Sequence, residues 1–114
     1  MNNVNLIGRL TTDPQAYSTK DTSISKFSIA IDRIGEGTDF PRVTVFAKLA
    51  DYCNQYLEKG SLVAVSGHIR TGTYENGEGE KVYTTEVIGE RIKFLSWKKD
   101  EDEEPKKSKY KKSR

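Results

Sequence analysis

The sequence is poor in the residues that build disulfide frameworks, metal centres and membrane spans. It has one cysteine, Cys53, and one histidine, His68. A single cysteine excludes an internal disulfide framework, and one histidine beside it does not favour a Cys/His zinc site. No apolar run approaches the roughly 18 residues of a transmembrane helix, and residues 1–10 carry Asn and Arg instead of the apolar core of a signal peptide. We therefore expect a protein of the reducing cytoplasm that makes no membrane contact.

Apolar residues are also scarce. Only 34% of the 114 residues are hydrophobic, whereas 32% are charged. The length fits one domain, and the low apolar fraction indicates a small core beside a segment that does not fold. The formal charge of +2, taken alone, argues against binding to nucleic acid through bulk charge.

The charges are unevenly distributed along the chain. Residues 98–114 hold 8 basic and 5 acidic residues, which leaves 11 basic and 12 acidic residues, a net charge of −1, in 1–97. Blocks of like charge without aliphatic residues predict disorder. We therefore predict a folded domain over 1–97 and a disordered tail over 98–114, acidic at Asp100–Glu104 and basic at Lys106–Arg114. The tail is either a solubilising segment or an interaction arm.

Hydrophobic periodicity predicts five strands and one helix. The strands are Val4–Leu10, Ile24–Ile34, Phe40–Lys48, Ser61–Tyr74 and Lys81–Ile88. An apolar pattern at helical spacing from Leu49 to Leu57 predicts a short helix between the third and fourth strands, with Gly60 as its C-cap. This is the element order of an OB-fold, an all-β, five-stranded Greek-key barrel. Other small β folds share the order and stay open at this point.

The third predicted strand carries aromatic and cationic residues on one face. Its inward positions are Val43, Val45 and Ala47, and its outward positions are Phe40, Arg42, Thr44, Phe46 and Lys48. Bases of a single-stranded nucleic acid stack on such rings at about 1–3 kcal/mol each, and cations between the rings contact phosphates. The alternative is that both rings pack under a loop or a partner subunit.

The fourth predicted strand carries a second row of such residues, because Arg70 and Tyr74 fall on the same face of it. Tyr74 lies at the mouth of a polar hairpin arm, where it is either a further stacking residue or an exposed cross-strand partner of Tyr83. Arg9 projects from the first strand. As a lone histidine, His68 is expected to be a surface or hydrogen-bonded side chain.

The sequence shows no catalytic constellation. It has no second histidine, no G-x-x-x-x-G-K-[ST] loop and no pairing of a nucleophile with a base. Its acidic residues are scattered over turns and strand ends, which does not favour a two-metal nuclease site. We therefore expect neither enzymatic activity nor a cofactor.

Nearly all of residues 2–95 resemble bacterial-type single-stranded DNA-binding proteins, a group that includes phage-encoded members. The matching stretches are NNVNLIGRLTTDP, FSIAI and the segment from DFPRVTVFAKL to YTTEVIGERIKFL. Within the last segment, Val43–Gly67 and the hairpin with YTTEV are quite specific. The resemblance implies an OB-fold protein, usually a homotetramer, that coats single-stranded DNA without base specificity during replication, recombination and repair. It also implies a place at the nucleoid, or in the host cytoplasm for a phage protein.

The resemblance also implies particular site residues. The stacking aromatics fall on Phe40, Phe46 and Tyr74, and the backbone-binding cations fall on Arg9, Arg42, Lys48, Lys59 and Arg70. Arg33 is a further candidate cation, because it lies near the short connection from Ile34 to Asp39, where the family's longer loop commonly carries another stacking aromatic. One stacking point is therefore expected to be absent.

Two other departures from the family pattern stand out. Pro41 lacks a backbone N–H and favours an edge or bulge after Phe40. The chain ends in KKSKYKKSR, not in the acidic and hydrophobic tip that recruits partner enzymes, so recruitment of replication or recombination proteins through the tail is open. An RNA-binding OB domain and a β-barrel protein-interaction module remain alternatives.

Overall fold

The computed structural model describes residues 1–96, so Trp97 and the predicted tail, 98–114, lie outside the described residues. The elements are β1 (Val4–Leu10), β2 (Gln15–Ser18), β3 (Ser23–Asp32), β4 (Thr38–Asp39), β5 (Arg42–Phe46), α1 (Ala47–Tyr56), β6 (Leu62–Glu75) and β7 (Lys81–Ser96). The prediction of a β protein with one helix between the third and fourth long strands is confirmed. The short strands β2 and β4 were not predicted.

Five of the strands close into a barrel. The hydrogen-bonded order is β1-β6-β7-β5-β3, and β3 returns to β1 through the pairs Arg9↔Ala30 and Leu10↔Ile29. The β5–β7 pair is parallel and the other pairs are antiparallel. This is the OB-fold that the element order predicted. β2 extends the sheet by pairing with β3.

The interior of the barrel is filled by the inward faces of the strands. The most completely buried aliphatic side chains are Ile29, Val43, Val45, Val63 and Val65, and α1 adds Ala50 and Cys53. Burial raises the pKa of the Cys53 thiol to about 12, so the thiol stays protonated and unreactive near neutral pH. Alternating apolar residues thus place the core as predicted.

The predicted third strand, Phe40–Lys48, is too long by two residues at each end. β5 starts at Arg42, and Lys48 belongs to α1. The strand ends because Ala47 adopts a positive φ of 61°, which turns the backbone out of the extended conformation. Ala47 is therefore exposed instead of inward-facing.

The predicted C-cap of the helix is also wrong. α1 ends at Tyr56, and Leu57 caps it by donating its N–H to the Cys53 carbonyl at 3.0 Å. Gly60, with a φ of 90°, lies in the following turn and donates its N–H to the Leu10 carbonyl at 2.8 Å.

β6 and β7 form one long hairpin that extends beyond the barrel. β7 does not end at Ile88 as predicted, because pairing continues through Gly89 to Ser96. A register shift between Ser66 and Gly67 leaves Glu90 without a partner in the ladder, which is a β-bulge. Beyond the bulge, β6 is exposed from Ile69 onward. The hairpin therefore projects an arm into solvent.

Candidate nucleic-acid interface

The outer faces of β2, β3 and β5 form one continuous surface. Cross-strand register gives the rows Tyr17–Ile24–Phe46, Gln15–Lys26–Thr44 and Ser28–Arg42. The alternate β3 residues Ser25 and Phe27 are buried, so these three rows lie on the side of the sheet away from the core. The predicted residues Phe46 and Arg42 thus share one face.

Phe46 and Arg70, predicted as a stacking ring and a phosphate-binding cation, are in contact. The Cζ atom of Arg70 lies 5.8 Å from the centroid of the half-buried Phe46 ring, which is cation–π distance. The Arg70 Nη2 atom also donates to Glu86 Oε2 at 2.9 Å. A predicted aromatic and a predicted cation are therefore adjacent, although they come from β5 and β6.

The prediction that Thr44 is an exposed member of the outward row of the third strand is wrong. Its side chain is only 3% exposed and donates its hydroxyl to Glu86 Oε1 at 2.6 Å. Partial burial opposes ionisation of Glu86, but the hydrogen bonds from Thr44 and Arg70 and the charges of Arg70 and Lys26 outweigh it, so the pKa of Glu86 lies below its usual value. The face therefore contains a carboxylate that sequence reasoning did not assign to the site. Pairing Arg70 with its cross-strand neighbour in the hairpin could have found it.

Phe40 and Arg33 lie at the β3–β4 end of the surface. Phe40 is 61% exposed, in the connection between β4 and β5. The Nε and Nη2 atoms of Arg33 both donate to Asp39 Oδ1, at 3.0 and 2.8 Å. The hydrogen bond from Arg33 holds the pKa of the Asp39 carboxyl below its usual value. Arg33 thus already has a carboxylate partner beside Phe40.

Arg9 and Lys59 group around the connection that follows α1. The Arg9 Nη1 atom donates to the Gly60 carbonyl at 2.8 Å, and the Lys59 backbone N–H donates to Asp13 Oδ1 at 2.8 Å. Lys48 is exposed in the first turn of α1. Arg9 therefore comes from β1, Lys48 from α1 and Lys59 from the connection after α1, and none of the three lies in the β5 row.

Tyr74 lies on the hairpin arm and is 55% exposed. Its cross-strand partner is Val82, whereas Tyr83 is opposite Thr73. Because consecutive strand residues point to opposite faces, Tyr74 and Tyr83 lie on different faces of the arm. The alternative in which these two tyrosines form an exposed cross-strand pair is therefore wrong.

The structure also reveals a polar groove that sequence reasoning missed. It has a volume of about 340 Å³, and its lining includes Tyr17, Lys26, Arg42, Thr44 and Glu86. Tyr17 was missed because β2 is a strand of only 4 residues. The alternation of β3 already placed Lys26 on the outward face, so parity could have found that residue.

Residues 1–96 contain no group of three or more His, Cys, Asp and Glu that could hold a metal ion. Among the same residues no helix is long and apolar enough to cross a membrane. His68 is hydrogen-bonded, with Nδ1 2.6 Å from Glu90 Oε2.

Known proteins that resemble this chain are named for binding to single-stranded DNA. The model of the single-strand binding protein family matches residues 1–95. The chain is 41% identical over 109 residues to "Single-stranded DNA-binding protein 1" of Staphylococcus aureus (strain MSSA476), covering 90% of this chain and 70% of that protein. It is 41% identical over 104 residues to a "Single-stranded DNA-binding protein" of Clostridium tetani (strain Massachusetts / E88), covering 85% and 72% of the two chains. The chain therefore belongs to the single-strand binding protein family.

Proposed function

We propose that this protein binds single-stranded DNA without sequence preference and protects it during replication, recombination and repair. The observation that carries the proposal is the contact of the Phe46 ring with the Arg70 guanidinium on the outer face of an OB barrel, the face that also carries Arg42. A ring offers any base a stacking surface, and the adjacent guanidinium can bind a phosphate. The names of the similar proteins support the same ligand.

The strand is bound through local contacts, because residues 1–97 carry a net charge of −1. Bases stack on Phe46, Phe40 and Tyr74, while phosphates contact the candidate cations. These cations are Arg9, Arg33, Arg42, Lys48, Lys59 and Arg70. In this proposal 1–97 is the DNA-binding domain, and the hydrogen bond from Arg70 to Glu86 orients the guanidinium beside Phe46.

Binding to an oligo-dT labelled with a fluorophore is expected to weaken with salt, because phosphate contacts release counterions. Arg42→Gln and Arg70→Gln should each lower the slope of log K against log [salt] by about 1. Lys93→Gln is the matched control, since Lys93 is exposed on β7 opposite Ala64 of β6, and its slope should equal that of the wild type. Salt-independent affinity, or no affinity, contradicts the proposal. Competition with a matched RNA oligomer distinguishes DNA from RNA.

We propose further that the protein is a homo-oligomer, with a tetramer as the expected form. Two features of β1 support self-association. Ile7 is 58% exposed, and among the described residues β1 pairs with β3 at Arg9 and Leu10 only, so the other edge of Val4–Ile7 is open. Open edges and exposed apolar side chains favour pairing with another chain. Mass photometry during the oligo-dT titration measures the number of subunits.

The tail, 98–114, is expected to add affinity for DNA. Its basic end, Lys106–Arg114, carries 6 positive charges in 9 residues that can attract phosphates. Deleting 98–114 should therefore lower the slope of log K against log [salt] while the contribution of Phe46 stays the same. An unchanged slope would show that the tail does not contact phosphates. Its role would then be to keep the protein soluble or to recruit replication and recombination proteins.

A further inference from the structure

We infer that Tyr17 and Lys26 form an additional nucleotide subsite, in which the Tyr17 ring stacks a base and the Lys26 ammonium binds a phosphate of the same single strand. The inference rests on the proposed function, because it extends the face around Phe46 by one more nucleotide. Tyr17 belongs to a strand that is separate from every element holding Phe40, Phe46 or Tyr74.

The position of Tyr17 follows from the register of β2. Tyr17 is opposite Ile24 on β3, and Ile24 is opposite Phe46 on β5. The Tyr17 and Phe46 backbones are therefore two strand spacings apart, roughly 10 Å, with both side chains on the outer face. A single strand that crosses the sheet from β5 to β2 meets the two rings in turn.

The chemistry of the pair fits a nucleotide. Tyr17 is 50% exposed, and Lys26 Nζ lies 5.7 Å from the centroid of its ring. The Tyr17 hydroxyl donates to Gln15 Oε1 at 3.1 Å, which orients the ring at the edge of the sheet. A ring with an adjacent ammonium offers both surfaces that a nucleotide needs, one apolar and flat for the base and one cationic for the phosphate.

The groove beside the pair determines which part of the nucleotide enters it. Its lining brings Lys26 and Arg42 to the same cavity as Glu86, whose carboxylate is held ionised by Thr44 and Arg70. A phosphate at Glu86 would be repelled, whereas a base edge with N–H groups can donate to a carboxylate. The base edge is therefore directed to Glu86 in the groove, and the phosphate is directed to the Lys26 ammonium.

The test compares variants of the full chain in oligo-dT titrations. Tyr17→Ala should weaken affinity at least about fivefold, and Tyr17→Phe, which retains the ring, should bind within about twofold of the wild type. Lys26→Gln should lower the slope of log K against log [salt] by about 1. Tyr56→Ala is the matched control, because Tyr56 is also 50% exposed but lies on α1, and it should bind like the wild type.

A photocrosslinking experiment separates direct stacking from an indirect effect. Trypsin cleavage after Arg9 and Lys20 releases the peptide 10–20, in which Tyr17 is the only aromatic residue. Ultraviolet irradiation of the complex with oligo-dT should attach the oligomer to this peptide. If the wild type binds and Phe46→Ala is weakened while Tyr17→Ala is not, or if peptide 10–20 carries no crosslink, the subsite is overturned and the proposed function stands. A wild type that does not bind oligo-dT overturns both.

Discussion

Phe46→Ala is expected to weaken affinity for oligo-dT by about 1–3 kcal/mol, roughly 5- to 150-fold. The ring lies on the outer face of β5 and contacts the Arg70 guanidinium at 5.8 Å from its centroid. Its loss removes one stacking surface and also one of the two partners that position Arg70, the other being Glu86. The effect should therefore exceed that of removing an aromatic residue at the end of the surface, such as Phe40. Fluorescence anisotropy at fixed salt measures the change.

Two companion variants separate stacking from packing. Phe46→Leu keeps an apolar side chain at the start of α1 but has no flat ring, so affinity should fall nearly as far as in Phe46→Ala while the melting temperature stays close to that of the wild type. Tyr83→Ala removes a ring that is 75% exposed, on the opposite face of the arm from Tyr74, and should leave affinity unchanged. Wild-type affinity in Phe46→Leu would show that the ring does not stack a base.

The barrel could be predicted because apolar and more polar residues alternate along its strands, and the apolar ones form the core. Buried residues recur at every second position, at Val43 and Val45 in β5 and at Val63 and Val65 in β6. The sequence Asn76-Gly77 is typical of a hairpin turn, and in the β6–β7 connection the Asn76 side chain accepts hydrogen bonds from the N–H groups of Glu78 and Glu80. Local patterns of this kind specify which residues face inward.

The site was predicted less completely, because its geometry depends on departures from regular alternation. The positive φ of Ala47 moves Lys48 from a strand onto a helix, and parity carries no signal of such a turn. The contact of Phe46 with Arg70 requires β5, β7 and β6 to be neighbours in the barrel, which alternation along one strand cannot show. Thr44 shares the outward parity of Phe46, but it is buried and hydrogen-bonded to the Glu86 side chain of β7, a contact that alternation along β5 does not show.

Gly67→Ala is expected to lower the free energy of unfolding by about 3 kcal/mol or more. Gly67 is buried at the register shift of the β6–β7 hairpin. A Cβ atom built there would lie 1.9 Å from the carbonyl oxygen of Ile88 and 2.9 Å from its carbonyl carbon. Both are backbone atoms, so no side-chain rotation relieves the overlap and the two strands must separate. For a domain of this size the melting temperature should fall by about 12 °C or more.

Substitutions at two other glycines test whether the loss of stability follows the closeness of the neighbouring backbone. At Gly8 an added Cβ would lie 2.6 Å from the Ala30 carbonyl oxygen, whereas at Gly77 no described atom lies within 4 Å. Gly8→Ala should therefore destabilise less than Gly67→Ala, and Gly77→Ala should change the free energy of unfolding by no more than about 0.5 kcal/mol. Urea denaturation followed by circular dichroism, at one protein concentration because association adds stability, measures all three. Equal stabilities for Gly67→Ala and Gly77→Ala would contradict the close approach of β6 and β7.

The bulge at Gly67 sets the direction of the arm, and the arm carries Arg70 and Tyr74. Any Gly67→Ala protein that folds should therefore also bind oligo-dT more weakly.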